Sequence, residues 1–130
     1  MSMESIKTYK ESYDYIQNLL NTICNADKIV IDYRNLDGET AKWLRNRIRN
    51  YLSSIIGNYN ISRGERNFVK DDYKEFLNRL EKSNTTTKFV VNIDKLEDKH
   101  AEELIGIIKE TLNVRKHKVW QTIFGWSSKL

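Results

Sequence analysis

A stretch of 25 residues occurs twice in this chain, sixty positions apart. Residues 28–52 read KIVIDYRNLDGETAKWLRNRIRNYL, and residues 88–112 read KFVVNIDKLEDKHAEELIGIIKETL. Aligned without gaps, 7 of the 25 pairs are identical, where roughly one or two identities are expected by chance. Self-similarity at a fixed period is evidence for a repeated structural unit. The chain therefore contains two copies of one unit, and any fold must accommodate both.

The similarity also extends upstream of these stretches. From residue 9 onward the same offset gives 11 identities in 44 pairs. A chain of 130 residues is long enough for one domain with a buried core. We predict a single domain, residues 1–130, made of copy one (about 1–60) and copy two (about 61–116). A basic and aromatic tail, residues 117–130, follows copy two.

The order of elements predicted in each copy is helix, strand, helix. Apolar residues at steps of three and four indicate the helices. Consecutive apolar residues, such as Ile29, Val30 and Ile31, indicate a strand that is covered on both faces. The predicted ranges are about 3–24, 28–34 and 39–56 in copy one and about 66–82, 88–94 and 98–112 in copy two.

Strands covered on both faces are typical of parallel sheets between helices. We therefore predict an α/β fold, a pseudo-symmetric tandem duplication of the helix–strand–helix unit around a small, mainly parallel sheet. Two strands alone are marginally stable, and apolar and polar residues alternate over 119–124. The tail is predicted to add a third strand or to form an aromatic arm, unless a dimer joins two short sheets. Residues 57–64 are predicted to form a loop between the copies.

Composition and motifs disfavour several classes of protein. No segment approaches 18 apolar residues, so no membrane span is predicted. The N-terminal residues lack the apolar stretch of a secretory signal, and Cys24 has no partner for a disulfide, so we expect a cytoplasmic location. The motifs GxxxxGK[ST], GxGxxG, GxSxG and HExxH are absent. We predict no cofactor, no metal and no catalytic residue.

One enzymatic alternative involves the carboxylates that follow the predicted strands. Ligands of parallel sheets bind beyond the carboxyl ends of the strands, and Mg²⁺ prefers oxygen ligands. If the two strands are neighbours, the carboxylates of both copies converge on one edge. Otherwise these residues only begin the helices that follow, where acidic groups are favoured. The residues are Asp32, Asp37, Glu39, Asp94, Glu97 and Asp98.

Positive charge is concentrated in two parts of the chain. The net charge of the whole chain is only +4, but residues 41–66 carry +5 and residues 113–130 carry +4. Residues 1–40 and 67–112 are net acidic, at −3 and −2. Clustered charge acts on a partner more strongly than the mean charge does. The two basic segments are therefore the candidates for a binding surface.

The first basic segment lies on the second helix of copy one. Lys42, Arg45 and Arg49 are predicted to share its exposed face, and Arg47 lies nearby. Trp43 aligns with Glu103 of copy two, a residue type that is rarely buried. Trp43 is therefore predicted either to lie exposed beside Arg47 or to be covered by the aromatic tail.

The second basic segment, residues 113–130, covers the end of copy two and the tail. It combines basic residues with aromatic residues, which together can hold phosphates and stack on bases. We predict a non-enzymatic protein that binds nucleic acid through both segments. The alternative is an adaptor or inhibitor that binds an acidic protein, or a second copy of this chain in a homodimer. The predicted contact residues are Lys42, Trp43, Arg45, Arg47, Arg49, Arg115, Lys116, Lys118 and Trp120.

Overall fold

The computed structural model describes residues 3–25, 27–63, 71–82 and 88–128. These residues form four α-helices and two β-strands, with a 3₁₀ turn after the first helix and after each strand. The order is helix, strand, helix in each copy, as the sequence predicts. The elements are α1 (Met3–Thr22), β1 (Lys28–Asp32), α2 (Gly38–Arg63), α3 (Asp71–Lys82), β2 (Lys88–Asn92) and α4 (Asp98–Ser128).

The two strands pair with each other in antiparallel orientation. Val30 lies opposite Val90, and the pairing is symmetric about these two residues, with Lys28 opposite Asn92 and Asp32 opposite Lys88. Val30 and Val90 are equivalent positions of the repeat. The two strands are therefore related by a twofold axis that passes between these two residues. A twofold axis normal to a sheet reverses strand direction. The prediction of an α/β fold with a mainly parallel sheet is therefore wrong, because the described chain is mostly helical with a two-stranded antiparallel sheet.

Among the described residues, one face of this sheet is buried and the other is partly exposed. Ile29 and Ile31 are buried, whereas Val30 between them is 39% exposed. In β2, Phe89 and Val91 are buried and the intervening residue is half-buried. The prediction that both faces are covered is wrong. A short run of apolar residues has the same pattern whether the strand is buried on both faces or carries an exposed valine on one of them.

The first helices are exchanged between the two copies. Helix α1 of copy one packs against α4 of copy two, and α3 of copy two packs against α2 of copy one. Helices α2 and α4 also pack against each other near the pseudo-twofold axis. In each copy the first helix therefore packs mainly against the second helix of the other copy. The result is one core to which both copies contribute.

Equivalent positions of the two copies fill this core. Leu44 and Leu104 are both 0% exposed, and the other identical positions along α2 and α4 are also buried. Burying a leucine or isoleucine side chain contributes about 1.5–3 kcal/mol. The residues that are identical in the two copies of this helix are therefore core residues, which stabilise the packing of α2 and α4. These positions are Ala41/Ala101, Leu44/Leu104, Ile48/Ile108 and Leu52/Leu112.

Both second helices are longer than their predicted ranges. Helix α2 continues through Gly57 to Arg63, so the predicted loop is helical as far as residue 63, and Gly64 lies outside the described residues. Helix α4 continues to Ser128, so the tail forms neither a third strand nor a separate arm over the residues that are described. Val119 is buried at a helical spacing from the core of α4. No proline or glycine interrupts residues 107–124, so the helix has no stop signal there.

The structure describes the first helix of copy two over Asp71–Lys82. Helix α3 starts at Asp71, and residues 66–70, where the sequence predicts its first turn, lie outside the described residues. Its buried face consists of Tyr73, Phe76 and Leu80, which the sequence predicts. The stripe is as predicted, but the sequence does not predict the partner that covers it, which is α2 of the other copy.

Candidate functional site

A buried arginine joins α4 to the beginning of α2. Arg115 is 7% exposed and lies in phase with the core residues of α4. Its Nε donates a hydrogen bond to Thr40 Oγ1 at 2.9 Å. Its Nη2 donates to Asp37 Oδ1 at 3.3 Å and to Glu39 Oε2 at 3.4 Å. The guanidinium is therefore held at the N-terminal end of α2.

Asp37 is the centre of this polar cluster. It immediately precedes α2 and caps the helix, because its Oδ1 accepts the Thr40 N–H at 3.0 Å. Its Oδ2 accepts the Thr40 hydroxyl at 2.6 Å and the Ser12 hydroxyl at 2.8 Å. Ser12 Oγ in turn accepts the Asp37 N–H at 2.9 Å. Three helices, α1, α2 and α4, thus meet at one buried carboxylate.

The cluster keeps Asp37 ionised. Burial by itself would raise the pKa of Asp37, but the hydrogen bonds from Thr40 and Ser12, together with the charge of Arg115, hold this pKa below its ordinary value. Arg115 therefore faces a carboxylate at neutral pH and is not left as an uncompensated buried charge. Such pairs fix geometry, since removing one partner leaves the other charge desolvated.

Arg115 also lines a cleft between α2 and α4. The cleft has a volume of about 410 Å³, within the range of ligand-binding sites. Lys42 and Lys118 are exposed at the cleft, and Trp43 is half-buried in its wall. A guanidinium has five N–H donors, and the bonds to Asp37, Thr40 and Glu39 use only Nε and Nη2. Arg115 therefore borders the cleft while α2 holds its guanidinium in place.

A second cleft of about 400 Å³ adjoins the first. The two clefts share Glu39, Arg115 and Lys118, and the second extends toward α1, where Tyr9 is part of its wall. A third cleft of about 340 Å³ lies further along the groove between α2 and α4 and contains Arg47. The first two clefts therefore form one continuous groove, and the third is a separate cleft between the same two helices.

Four of the predicted contact residues meet at the first cleft. Lys42 and Trp43 come from α2, and Arg115 and Lys118 come from α4. These residues belong to the two separate basic segments of the sequence, and the packing of α4 against α2 brings them together. The sequence leaves open whether Trp43 is exposed or covered, and in the structure its side chain is half-buried.

The other predicted contact residues lie elsewhere, and Arg45 is the clearest difference. Arg45 is half-buried, and its Nη2 donates to the Leu80 carbonyl at 2.9 Å and to the Glu81 carbonyl at 3.4 Å. It therefore binds the C-terminal end of α3, where a positive charge is favourable. The expectation that Arg45 shares an exposed face with Lys42 and Arg49 is wrong, because the exchanged helix α3 covers it.

Most of the remaining predicted residues have partners within the molecule. Arg49 is exposed on α2. The partners are Glu110 for Arg47 (3.6 Å between Nη2 and Oε2), Gln17 for Lys116 (3.0 Å between Nζ and Oε1) and Tyr13 for Trp120 (5.6 Å between ring centroids). Trp120 is 50% exposed and contacts α1, so neither it nor Lys116 is among the residues that line the first cleft.

Sequence reasoning misses Tyr9 and the role of the residues around Arg115. Helical periodicity places Tyr9 on the core stripe of the first helix, but it is half-buried and lines the second cleft. Ser12 and Arg115 lie in phase with buried apolar residues on their helices, so both are polar residues at core positions. A charged residue at such a position requires a buried partner, and this is the signal by which the cluster could be found.

The carboxylates of the enzymatic alternative do not share one edge of the sheet. Because β1 and β2 are antiparallel, their carboxyl ends lie at opposite ends, with Asp32 beside Lys88. Asp37 is committed to the cluster with Arg115. Among the described residues, no group of three or more histidine, cysteine, aspartate or glutamate side chains has the geometry of a metal site. No helix in the described ranges is long and apolar enough to cross a bilayer.

Comparisons with protein-family models, with curated proteins and with solved structures find no match to this chain. Its function is therefore inferred from the geometry and charge of the groove.

Proposed function

We propose that this protein is a non-enzymatic binding protein that contacts nucleic acid through the groove between α2 and α4. The observation that supports the proposal most strongly is the convergence of Lys42, Lys118 and a fixed Arg115 on one cleft beside Trp43. Lysine and arginine hold phosphates, and an accessible aromatic side chain can stack on a base. The groove supplies both kinds of group within one site.

The shape of the groove favours an extended ligand. The first two clefts share residues, so a ligand that follows them meets the cationic groups of Lys42, Arg115 and Lys118. Arg49 adds a further exposed positive charge on α2. Phosphates along a polymer would neutralise these groups and release counterions, so the affinity should fall steeply with salt. Contacts to phosphates and stacking carry little sequence information, and we expect little base preference.

The test is to reverse the charge of the two exposed lysines of the first cleft. We expect the double variant K42E/K118E to bind a labelled oligonucleotide at least about tenfold more weakly than the unchanged protein. The slope of log affinity against log salt should also decrease by about 2, one for each lysine. Fluorescence anisotropy at several salt concentrations measures both quantities.

A matched control has the same change of charge at another surface. Lys74 on α3 and Lys99 in the first turn of α4 are exposed, and neither lines the clefts described above. The double variant K74E/K99E should retain the affinity of the unchanged protein. Equal losses in the two double variants, or no loss in K42E/K118E, would contradict the proposal.

A second candidate is binding to an acidic protein or to another copy of this chain. It is favoured by the acidic residues Glu102 and Glu103, which occupy the positions equivalent to Lys42 and Trp43. Opposite charge at equivalent positions would allow the groove of one molecule to meet the acidic end of another. Sedimentation without oligonucleotide at low and high salt tests this candidate, since self-association should appear only at low salt.

A further inference from the structure

Two aromatic residues and two cationic residues line the first two clefts of the groove. Tyr9 lies in the wall of the second cleft and Trp43 in the wall of the first. Arg115 and Lys118 belong to both clefts and therefore lie between the two aromatic residues. The order along the groove is aromatic, cationic pair, aromatic.

We propose that the groove binds unpaired nucleotides, with one base against Trp43, a neighbouring base against Tyr9 and the phosphate between them on Arg115 and Lys118. This inference rests on the proposed function and specifies its ligand. Stacking requires an accessible base face, and every base offers one. In a duplex the bases are stacked and paired, and a base must leave the stack before it can bind a side chain in this way.

Arg115 is suited to hold the phosphate because its orientation is fixed before binding. Its Nε and Nη2 are bound to Thr40, Asp37 and Glu39, so the plane of the guanidinium is set by the protein. Nη1, which these bonds do not use, is the group that would donate a charge-assisted hydrogen bond to a phosphate oxygen. A side chain that is already ordered loses less conformational entropy on binding than a free surface side chain does.

Glu39 is the unfavourable group in this arrangement. Its carboxylate is 3.4 Å from Arg115 Nη2, it borders both clefts, and its side chain is 79% exposed. A phosphate on Arg115 would be repelled by this carboxylate and would compete with it for the guanidinium. Glu39 should therefore weaken binding, and its neutralisation should strengthen it.

The experiment compares a single strand, the matching duplex and adenosine 5′-monophosphate as ligands of the full chain. We expect the single strand to bind about tenfold or more tightly than the duplex. Trp43→Ala and Tyr9→Ala should each weaken binding of the single strand by about five- to 100-fold. Trp43→Phe and Tyr9→Phe, which keep a ring, should restore most of the affinity.

Matched controls separate stacking and charge from general damage. Phe124 is 62% exposed and lines none of the clefts described above, so Phe124→Ala should leave the affinity unchanged. Glu39→Gln should raise the affinity several-fold, whereas Glu102→Gln at the other end of the helix pair should not change it. Circular dichroism of each variant checks that the fold is retained.

The outcomes distinguish this inference from the proposed function. If K42E/K118E loses affinity but Trp43→Ala and Tyr9→Ala do not, the groove binds phosphates without stacking, and the inference fails alone. Equal affinity for duplex and single strand would likewise contradict the inference and leave the proposed function standing. Binding of the mononucleotide as tight as that of the single strand would overturn it as well, because one nucleotide would then suffice. Unchanged binding by K42E/K118E would overturn the proposed function itself.

Discussion

The two ends of the α2–α4 helix pair are equivalent in the repeat but differ in chemistry. At one end Lys42, Trp43 and Arg115 line the cleft. The residues at the equivalent positions of the other end are, in the same order, Glu102, Glu103 and Ile55. Arg115 and Ile55 are nevertheless buried to the same degree, at 7% and 6% exposed. The duplicated unit has therefore kept its pattern of burial while one end has acquired a buried charge and a basic rim.

The hydrogen bonds at the starts of α2 and α4 are also similar in one respect and different in another. In copy one, the N–H of Asp37 donates to the hydroxyl of Ser12 at 2.9 Å. In copy two, the N–H at the equivalent position, Glu97, donates to the hydroxyl of Tyr73 at 2.8 Å. Both copies thus anchor the start of the second helix to a hydroxyl of their own first helix. Only the start of α2 adds a buried carboxylate, Asp37, to which Arg115 of α4 binds, and this difference is what creates the candidate site.

The shared core should respond in the same way in both copies. Leu44→Ala and Leu104→Ala each remove a side chain that is 0% exposed, so each should lower the free energy of unfolding by about 4 kcal/mol. The two values should agree to within about 1 kcal/mol, because the cavities are related by the pseudo-twofold axis. Urea denaturation measures both. A large loss in one variant and a small loss in the other would show that the two cores are not equivalent.

The polar cluster should make the two copies respond differently. Asp37→Asn keeps the shape of the side chain but removes the charge that faces Arg115, and it should cost about 3 kcal/mol of folding free energy. This is near the lower end of the usual range because Thr40 and Glu39 still bind the guanidinium. Glu97→Gln at the equivalent position alters an exposed side chain and should cost about 0.5 kcal/mol or less. Similar losses in the two variants would contradict a special role for the cluster.

The dependence of stability on pH isolates the charge of Asp37. Its folded-state pKa lies below its ordinary value, so its stabilising contribution is fully present above the unfolded-state pKa of about 3.9. The contribution disappears as the pH falls through the lower folded-state pKa. The difference in unfolding free energy between the unchanged protein and Asp37→Asn should therefore be constant near neutral pH and shrink in acid below about pH 4. A difference that does not change in acid would exclude an ionised Asp37 as its cause.

The smallest effect on stability is expected for Arg45, the basic residue of α2 that binds the exchanged helix α3. Arg45→Ala removes hydrogen bonds to two carbonyls at the end of α3 and should cost about 1–2 kcal/mol of folding free energy. Arg49→Ala, one turn later and exposed, should change stability by about 0.5 kcal/mol or less. Thermal unfolding compares them. Equal stability of the two variants would indicate that Arg45 contributes no more than an exposed arginine does.

Much of the local organisation could be predicted from the sequence. The core stripes of α2 and α4 follow from apolar residues at helical spacing, and the identical pairs between the copies lie on those stripes. The predicted strands agree with the observed strands to within two residues at their C-terminal ends. The predicted C-terminal ends of α2 and α4 do not agree with the observed ends, because both helices are longer than predicted. In α2 the sequence suggests a stop at Gly57, although a glycine inside a helix costs only about 1 kcal/mol, which tertiary packing can override.

The candidate site could be predicted only in part. The sequence shows two basic segments and a tryptophan at a position where copy two has a glutamate, which is enough to single out Lys42, Trp43, Arg115 and Lys118. It does not show which of the nine predicted residues face the same groove. The prediction for Arg45 is wrong because the neighbour that covers it, α3, lies 35 residues away along the chain and belongs to the other copy.

Alignment of the sequence with itself is sufficient to identify the duplication, and short-range periodicity is sufficient for the approximate positions of the helices and strands and for most of the buried side chains. Contacts between distant segments were needed to establish that the strands run antiparallel, that the first helices are exchanged and that Arg115 reaches Asp37 across 78 residues. The reason is that an apolar strand or stripe has the same local pattern whatever its partner. The partner is selected when distant segments pack together, here about a pseudo-twofold axis.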